Sequence, residues 1–358
     1  MKFLFIIFKL LIWCAYAFCR QQRGPTELRM SAGEKGWETI LLKEFYLSAA
    51  EWLAPNQVSR VVYTESLSVR QEVGNCSHFF YDARTGLDRS KGKLGRTLSC
   101  YFRAIKIGFV TAVRGITVIA WVTDFSDRNL RVAAFLATAA RGQIVTAMSP
   151  HTVPPRFLFH PRVFGPVPMP FSLKTIQSVD GDIWKGRRTL ISFTGALYEP
   201  RTSFFKEVSE RCEAHGLKFL LNDRMPLGER TSDCAYWQDL TNSIFTIATC
   251  SQQPPLKGDS VDFPEIKHMV GRITEAAVAG CCLLSDIPPG IECLFKPHKH
   301  FVPVSTPSDV INVLLDYPNR PRFYEKIARA GRRRAEALAE TSFLWSSVNT
   351  ALGKHSMM

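Results

Sequence analysis

The stretch GRITEAAVAGCCLLSDIPPGIE, Gly271 to Glu292, decides how the second half of the chain is read. Its first part carries alanines and branched apolar residues at helical spacing, stopped by Gly280. CCLLSD follows at once, with the continuous apolar run of a strand buried on both faces. A helix leading straight into such a strand is half of a β-α-β unit, so the fold turns on whether these units repeat. Arg272 and Glu275 open a helix otherwise suited to burial. At i and i+3 they share one face. Either they form an ion pair on an exposed surface, or they are aimed at a ligand.

The units do repeat. Upstream lie a strand RTLISFTG (188–195) ending in a glycine turn, a helix SFFKEVSERCEAHG (203–216) and a strand LKFLLN (217–222). A helix YWQDLTNS (236–243) and a strand IFTIAT (244–249) follow. Downstream lie a strand HFVPVS (300–305), a helix SDVINVLLD (308–316) with a Ser-Asp start, and one helical stretch from Pro321 to Trp345. The first half alternates more weakly: a helix over 38–53, a strand over 61–64, a helix with a basic side over 94–113, and then ITVIAWVTD (116–124), a strongly apolar strand. A helix over 130–140 and a strand over 143–149 complete it. Seven prolines from Pro150 to Pro170 exclude regular structure between the halves. The expected fold is α/β: two Rossmann-like, doubly wound parallel-sheet domains facing a cleft, over 1–165 and 166–340. Residues 341–358 form a C-terminal helix or tail that crosses back to the first domain.

Composition narrows the function. At 358 residues the chain can bury two cores without a metal or disulfide staple. Its ten cysteines contain no C-x-x-C, so a zinc site or disulfide framework is disfavoured and a reducing compartment is expected. The net charge of +13 is concentrated in Arg320–Arg334 and Asp88–Arg96, which suits phosphate-bearing partners or peripheral contact with an anionic membrane. No specific nucleic-acid motif accompanies it. Lys2 to Cys19 is apolar but interrupted by Lys9, and reads as a buried strand and helix, a signal peptide or a membrane anchor. The expected location is therefore cytoplasmic with membrane association, or, on the other readings, the secretory pathway. The sequon Asn75-Cys76-Ser77 decides nothing.

Several residues together resemble GT-B-fold glycosyltransferases of the group-1-like branch, including the CgeB-type spore maturation proteins. They are Val167-Pro168-Met169-Pro170-Phe171; Phe193-Thr194-Gly195 with Tyr198 and Arg201; Tyr236, Leu240 and Ser243; and Gly271 to Ala276 with Ala279-Gly280-Cys281 and Leu283-Leu284. Pro289 to Glu292 with Phe295, then Asp309, Arg322 and Gly331-Arg332, continue the order. Exostosin-type transferases share part of this block. The chain departs from the pattern where many group-1 enzymes carry a second glutamate: eight positions before Glu275 stands Lys267. The first half lacks a glycine-rich loop after its first strand.

The resemblance implies a nucleotide-sugar donor in the second domain, with Glu275 on the ribose and Arg272 on the diphosphate. An arginine offers a planar fork of donors to phosphate, and a helix N-terminus adds unpaired N–H groups. Gly195, Tyr198, Arg201, Ser285 and Glu292 complete the expected donor site. Gly195, Arg201 and Glu292 are each also readable as a plain turn, a helix-end charge and a loop cap. Asp124 and Asp127 follow the ITVIAWVTD strand and are candidates for a general base, or else they cap the next helix. Asp180-Gly181-Asp182 reads as a turn, so no metal or other cofactor is expected. The acceptor would be a glycan, lipid or protein. Three other readings stay open: a nucleotide-sugar epimerase of the same fold, a non-catalytic structural or assembly protein, and a basic nucleic-acid binder.

Overall fold

A computed structural model describes residues 11, 27–31, 44, 47–51, 60–64, 78–82, 93–122, 132–133, 135–136, 143–146, 163–165, 167, 169–179, 184–195, 197, 199–223, 233–250, 270–341 and 343–346. The chain divides into two compact units, Met1–Val167 with Ser342–Met358, and Pro168–Thr341.

The first unit is built on β1 (Glu27–Ser31), β2 (Arg60–Thr64), β3 (His78–Asp82), α1 (Lys93–Val113), β4 (Thr117–Val122), β5 (Gln143–Thr146) and β6 (Val163–Phe164). All six strands are parallel, in the order β2-β1-β3-β4-β5-β6. β4 is the run ITVIAWVTD, trimmed to its apolar centre. Phe79 and Tyr81 of β3, Val118 of β4 and Ala104 and Ile107 of α1 share one core. Gly115, with φ 67°, turns α1 into β4. β1 and β3 are strands that the sequence pattern does not reveal. The expected helices over 38–53 and 130–140 are helical wherever described, at 44, 47–51, 132–133 and 135–136.

The second unit contains α2 (Leu173–Ser178), β7 (Thr189–Gly195), α3 (Arg201–Ala214), β8 (Phe219–Asp223), α4 (Asp233–Thr241) and β9 (Ser243–Ala248). There follow α5 (Gly271–Val278), β10 (Cys282–Ser285), β11 (Val302–Pro303), α6 (Pro307–Asp316) and α7 (Pro321–Glu340). Its five strands are parallel in the order β11-β10-β9-β7-β8. Successive strand residues face opposite sides of the sheet. Ile191 and Phe193 join Phe205 of α3 and Val310 of α6 in one core. Ser192 and Thr194 face the other way: the Ser192 and Ser243 hydroxyls are hydrogen-bonded at 2.6 Å, and the Thr194 hydroxyl donates to Asp239 of α4 at 3.1 Å. Strand order reverses between β7 and β9, and the carboxyl ends at such a point are where open parallel sheets bind ligands.

Several boundaries differ from expectation, and β6 (Val163–Phe164) forms within the span whose prolines are expected to exclude regular structure; two differences have a visible cause. The strand expected over 300–305 is only Val302–Pro303, because the Ser305 N–H is taken by the Asp309 carboxylate at 2.9 Å. That carboxylate also accepts from Thr306 N at 2.8 Å, closing a capping box, so α6 is capped by Thr306 and starts at Pro307 rather than at Ser308. The single helix expected over 321–345 ends at Glu340, and its last residues belong to the first unit. There Trp345 is buried, donates to Ser48 Oγ at 3.0 Å and packs on Phe80 with ring centroids 5.7 Å apart.

Candidate functional site

α5 is held to the sheet by its small residues. Ile273, Ala276, Val278 and Ala279 are fully buried, and Gly280 (φ 66°) stops the helix. Its N-cap is Val270, whose side chain offers no hydrogen bond to the first turn. Two arginines bind the carbonyls at the closed end. Arg187 donates to Ala279 O at 2.6 Å and to Leu240 O and Ser243 O at 3.1 and 2.6 Å. Arg332 donates to Val278 O and to Ile176 O, the latter at 2.6 Å. A cation at a helix C-terminus complements its partial negative charge. The N-terminal end of α5 is thus left for Arg272 and Glu275.

These two do not form a surface ion pair. Their side chains are 13% and 9% exposed, with Arg272 Nε 3.4 Å from Glu275 Oε2. The Arg272 guanidinium lies between two rings, 5.2 Å from the centroid of Phe193 and 5.1 Å from that of Tyr236. Its Nη2 donates to Thr194 O at the end of β7. Its Nη1 is buried and has no hydrogen-bond partner among the described residues. An unpaired buried guanidinium nitrogen carries a large desolvation cost that an anion would relieve. The Tyr236 hydroxyl donates to Glu275 Oε2. Glu275 Oε1 has no partner among the described residues.

Gly195 explains how the guanidinium comes so close to β7. A Cβ there would stand 3.0 Å from Phe193 Cζ and 3.2 Å from Arg272 Nη2. Arg201, at the start of α3, reaches across the switch point, and its Nε donates to Thr249 Oγ1 at 2.9 Å. Its guanidinium also covers the Phe193 ring at 5.5 Å. Gly195, Arg201, Arg272 and Glu275 therefore gather around Phe193 and Tyr236 at the carboxyl ends of β7 and β9.

The other expected site residues are placed differently. Ser285 is fully buried, and its hydroxyl donates to Asp286 O at 2.9 Å, with Cys250 Sγ at 3.5 Å. It ties β10 to the end of β9. Burial and the neighbouring Asp286 push the Cys250 thiol well above its ordinary range, so it stays protonated. Glu292 is exposed on the turn Ile291–Cys293 and meets no partner among the described residues. Tyr198, Asp124, Asp127, Asp180, Asp182, Lys267 and the sequon at 75–77 lie outside the described residues, as does Lys2–Cys19 apart from Leu11. Phe193 and Tyr236 stand in the resembling blocks, but spacing alone assigns them no contact with the charged pair.

Much of the basic run on α7 is committed locally. Arg329 pairs with Glu325 at 3.0 Å, Arg332 with Glu336 at 2.8 Å, and Arg334 donates to Leu294 O at 2.6 Å. Among the described residues no three His, Cys, Asp or Glu gather to hold a metal ion. Nor, among them, is any helix long and apolar enough to cross a membrane.

Residues 264–342, which include α5 through α7, match the family described as Glycosyl transferase-like. No curated protein matches the chain in sequence. Among solved structures, HepE of Anabaena in complex with UDP and glucose is 12% identical with a TM-score of 0.52, covering 93% of this chain and 98% of that one. Its complex with UDP-glucose is 11% identical at 0.52, covering 93% and 100%. AviGT4, a glycosyltransferase involved in avilamycin A biosynthesis, is 11% identical at 0.49, covering 92% and 99%. The chain thus shares the two-domain parallel-sheet fold of GT-B glycosyltransferases, and its second unit carries the matched family segment.

Proposed function

We propose that this chain is a glycosyltransferase that takes a hexose from a nucleotide-sugar donor bound at the β7–β9 switch point. The observation that carries the reading is Arg272, a buried guanidinium whose Nη1 has no partner among the described residues, beside a Glu275 oxygen that likewise meets none of them. A diphosphate oxygen satisfies the first group, and a ribose hydroxyl satisfies the second. Glu275 Oε2 already meets Tyr236, so Oε1 takes one hydroxyl rather than the carboxylate spanning both through separate oxygens. Arg201 and the N-terminus of α5 add positive potential where the diphosphate leaves. As the sugar–phosphate bond breaks, negative charge grows on the diphosphate, and these groups stabilise it without rearranging.

HepE, with which the chain shares its fold, was solved with UDP-glucose, which makes a uridine diphosphate sugar the first donor to test. Binding a glycan, lipid or protein acceptor falls to the first unit, with Asp124 or Asp127, beyond the end of β4, as general base. No metal is required in this scheme, since arginine and helix N–H groups carry the charge. The net charge of +13 would favour an anionic membrane as the place of work.

The test is thermal-shift and calorimetric titration with UDP, GDP, ADP and CMP sugars, repeated on Arg272→Ala and Glu275→Ala. One nucleotide class should stabilise the wild type and neither variant. If none binds, the proposal fails. Incubation of the bound donor with a glycan extract then separates transfer from epimerisation, which needs no acceptor.

A further inference from the structure

We propose that Tyr236 is a positioning residue for donor binding, acting through Glu275; the inference rests on the donor-site reading above. Tyr236 lies on α4 and touches both members of the charged pair. Its hydroxyl donates to Glu275 Oε2, and its ring lies 5.1 Å from the Arg272 guanidinium carbon. The phenol therefore decides which carboxylate oxygen is occupied and which remains for a ligand. The ring, opposed by Phe193 at 5.2 Å, fixes the plane of the guanidinium and so the direction of its Nη1.

Such a tether works only if α4 itself is held. Asp239, one turn after Tyr236, accepts from Thr194 at 3.1 Å and from Asn222 Nδ2 at 3.2 Å, at the ends of β7 and β8. Just after α4, Ser243 Oγ donates to Asp239 O at 2.6 Å, and the Ser243 and Ser192 hydroxyls are hydrogen-bonded at 2.6 Å. Tyr236 is itself buried, and its ring meets Trp237 edge-on at 5.8 Å. A carboxylate held by a phenol on a hydrogen-bonded helix keeps its orientation before the ligand arrives, which removes an ordering cost from binding.

The test is a double-mutant cycle on the full-length chain, read as the Kd for UDP, GDP and ADP by calorimetry. Tyr236→Phe keeps the ring and removes only the hydroxyl. It should weaken the preferred nucleotide about tenfold in the wild-type background while its melting temperature stays close to wild type. In a Glu275→Gln background the same change should have little further effect, because the group it orients is gone. A merely structural role would lower the melting temperature instead and would add to Glu275→Gln. Additive losses, or an unchanged Kd in Tyr236→Phe, would overturn the positioning role and leave the donor site standing. Failure of the wild type to bind any of these three nucleotides or any UDP, GDP, ADP or CMP sugar would overturn both. If Glu275→Gln does not fold, Glu275→Asp replaces it: the shorter side chain withdraws the carboxylate from the phenol, and the same non-additivity is expected.

Discussion

Gly195 shows how one residue can be readable in sequence while its purpose is not. A glycine at a strand end suggests a turn or a phosphate-binding backbone. The structure assigns it a different task, clearance for the Arg272 guanidinium beside the Phe193 ring. Its backbone torsion is not the issue, since Gly195 does not take a positive φ. Gly195→Ala should therefore fold, and should push Arg272 from its place by a few tenths of an ångström. We expect several-fold weaker nucleotide binding by calorimetry, with a stability loss of about 1–3 kcal/mol at most from overpacking. Unchanged binding would show that the guanidinium position does not matter. Arg272 and Glu275 were legible as a pair from their spacing and from the blocks around them. Their burial was not, because it comes from Phe193 and Tyr236, which lie 79 and 39 positions before Arg272 and Glu275 respectively. Contacts over such distances depend on the packing of α4 and β7 against α5, which no local pattern encodes.

Elements of the second unit were legible where burial and chain punctuation agree. α5 follows from its alanines and Gly280, and α7 from an apolar stripe through Tyr324, Ile327, Gly331, Ala335 and Leu338. β1 was missed because ELRMS carries two charges and no run of branched residues. β3 was missed because HFFYD is short and preceded by polar residues, although Phe79, Phe80 and Tyr81 are buried. The turn between β10 and β11 carries a consequence for pH. His300 Nδ1 accepts from Lys296 N at 2.9 Å, and its ring meets Phe295 edge-on at 6.2 Å. Burial, with Lys299, Arg334 and Lys296 nearby, lowers its pKa to about 4 from 6.5. The native state thus holds a neutral ring that the unfolded chain protonates first. Stability from this group is complete above the unfolded value near 6.5 and is lost as pH falls toward about 4. Asp309 and Asp316 also have lowered values, but their contributions persist above the ordinary carboxylate range and fade only below it. Melting temperatures measured from pH 7 to pH 4.5 should fall, and His300→Gln, which keeps an acceptor for Lys296 N, should flatten that slope. A slope that survives the substitution would assign the pH dependence elsewhere.

At the scale of the whole molecule, the order of the chain and the order of folding units differ. The second unit is continuous, Pro168–Thr341, whereas the first is completed by the chain's last residues, Ser342–Met358. The sequence suggested a tail that returns, but its anchor is visible only in space: Trp345 stands 297 positions from Ser48, whose hydroxyl accepts its indole N–H. Trp345 is 1% exposed and rests on Phe80, which in turn packs near Trp121 of β4, with centroids 6.5 Å apart. Removing it empties a large apolar site in the first unit. Trp345→Ala should therefore cost about 3–5 kcal/mol in the first unit. Calorimetry should show one transition moved to lower temperature, and proteolysis should begin in the first unit. Nucleotide affinity, which we place in the second unit, should be preserved at temperatures below that transition. Sugar transfer, for which we propose that the first unit binds the acceptor, should be lost with that unit. Loss of nucleotide affinity in parallel with transfer would mean that the donor site depends on the first unit for its own integrity.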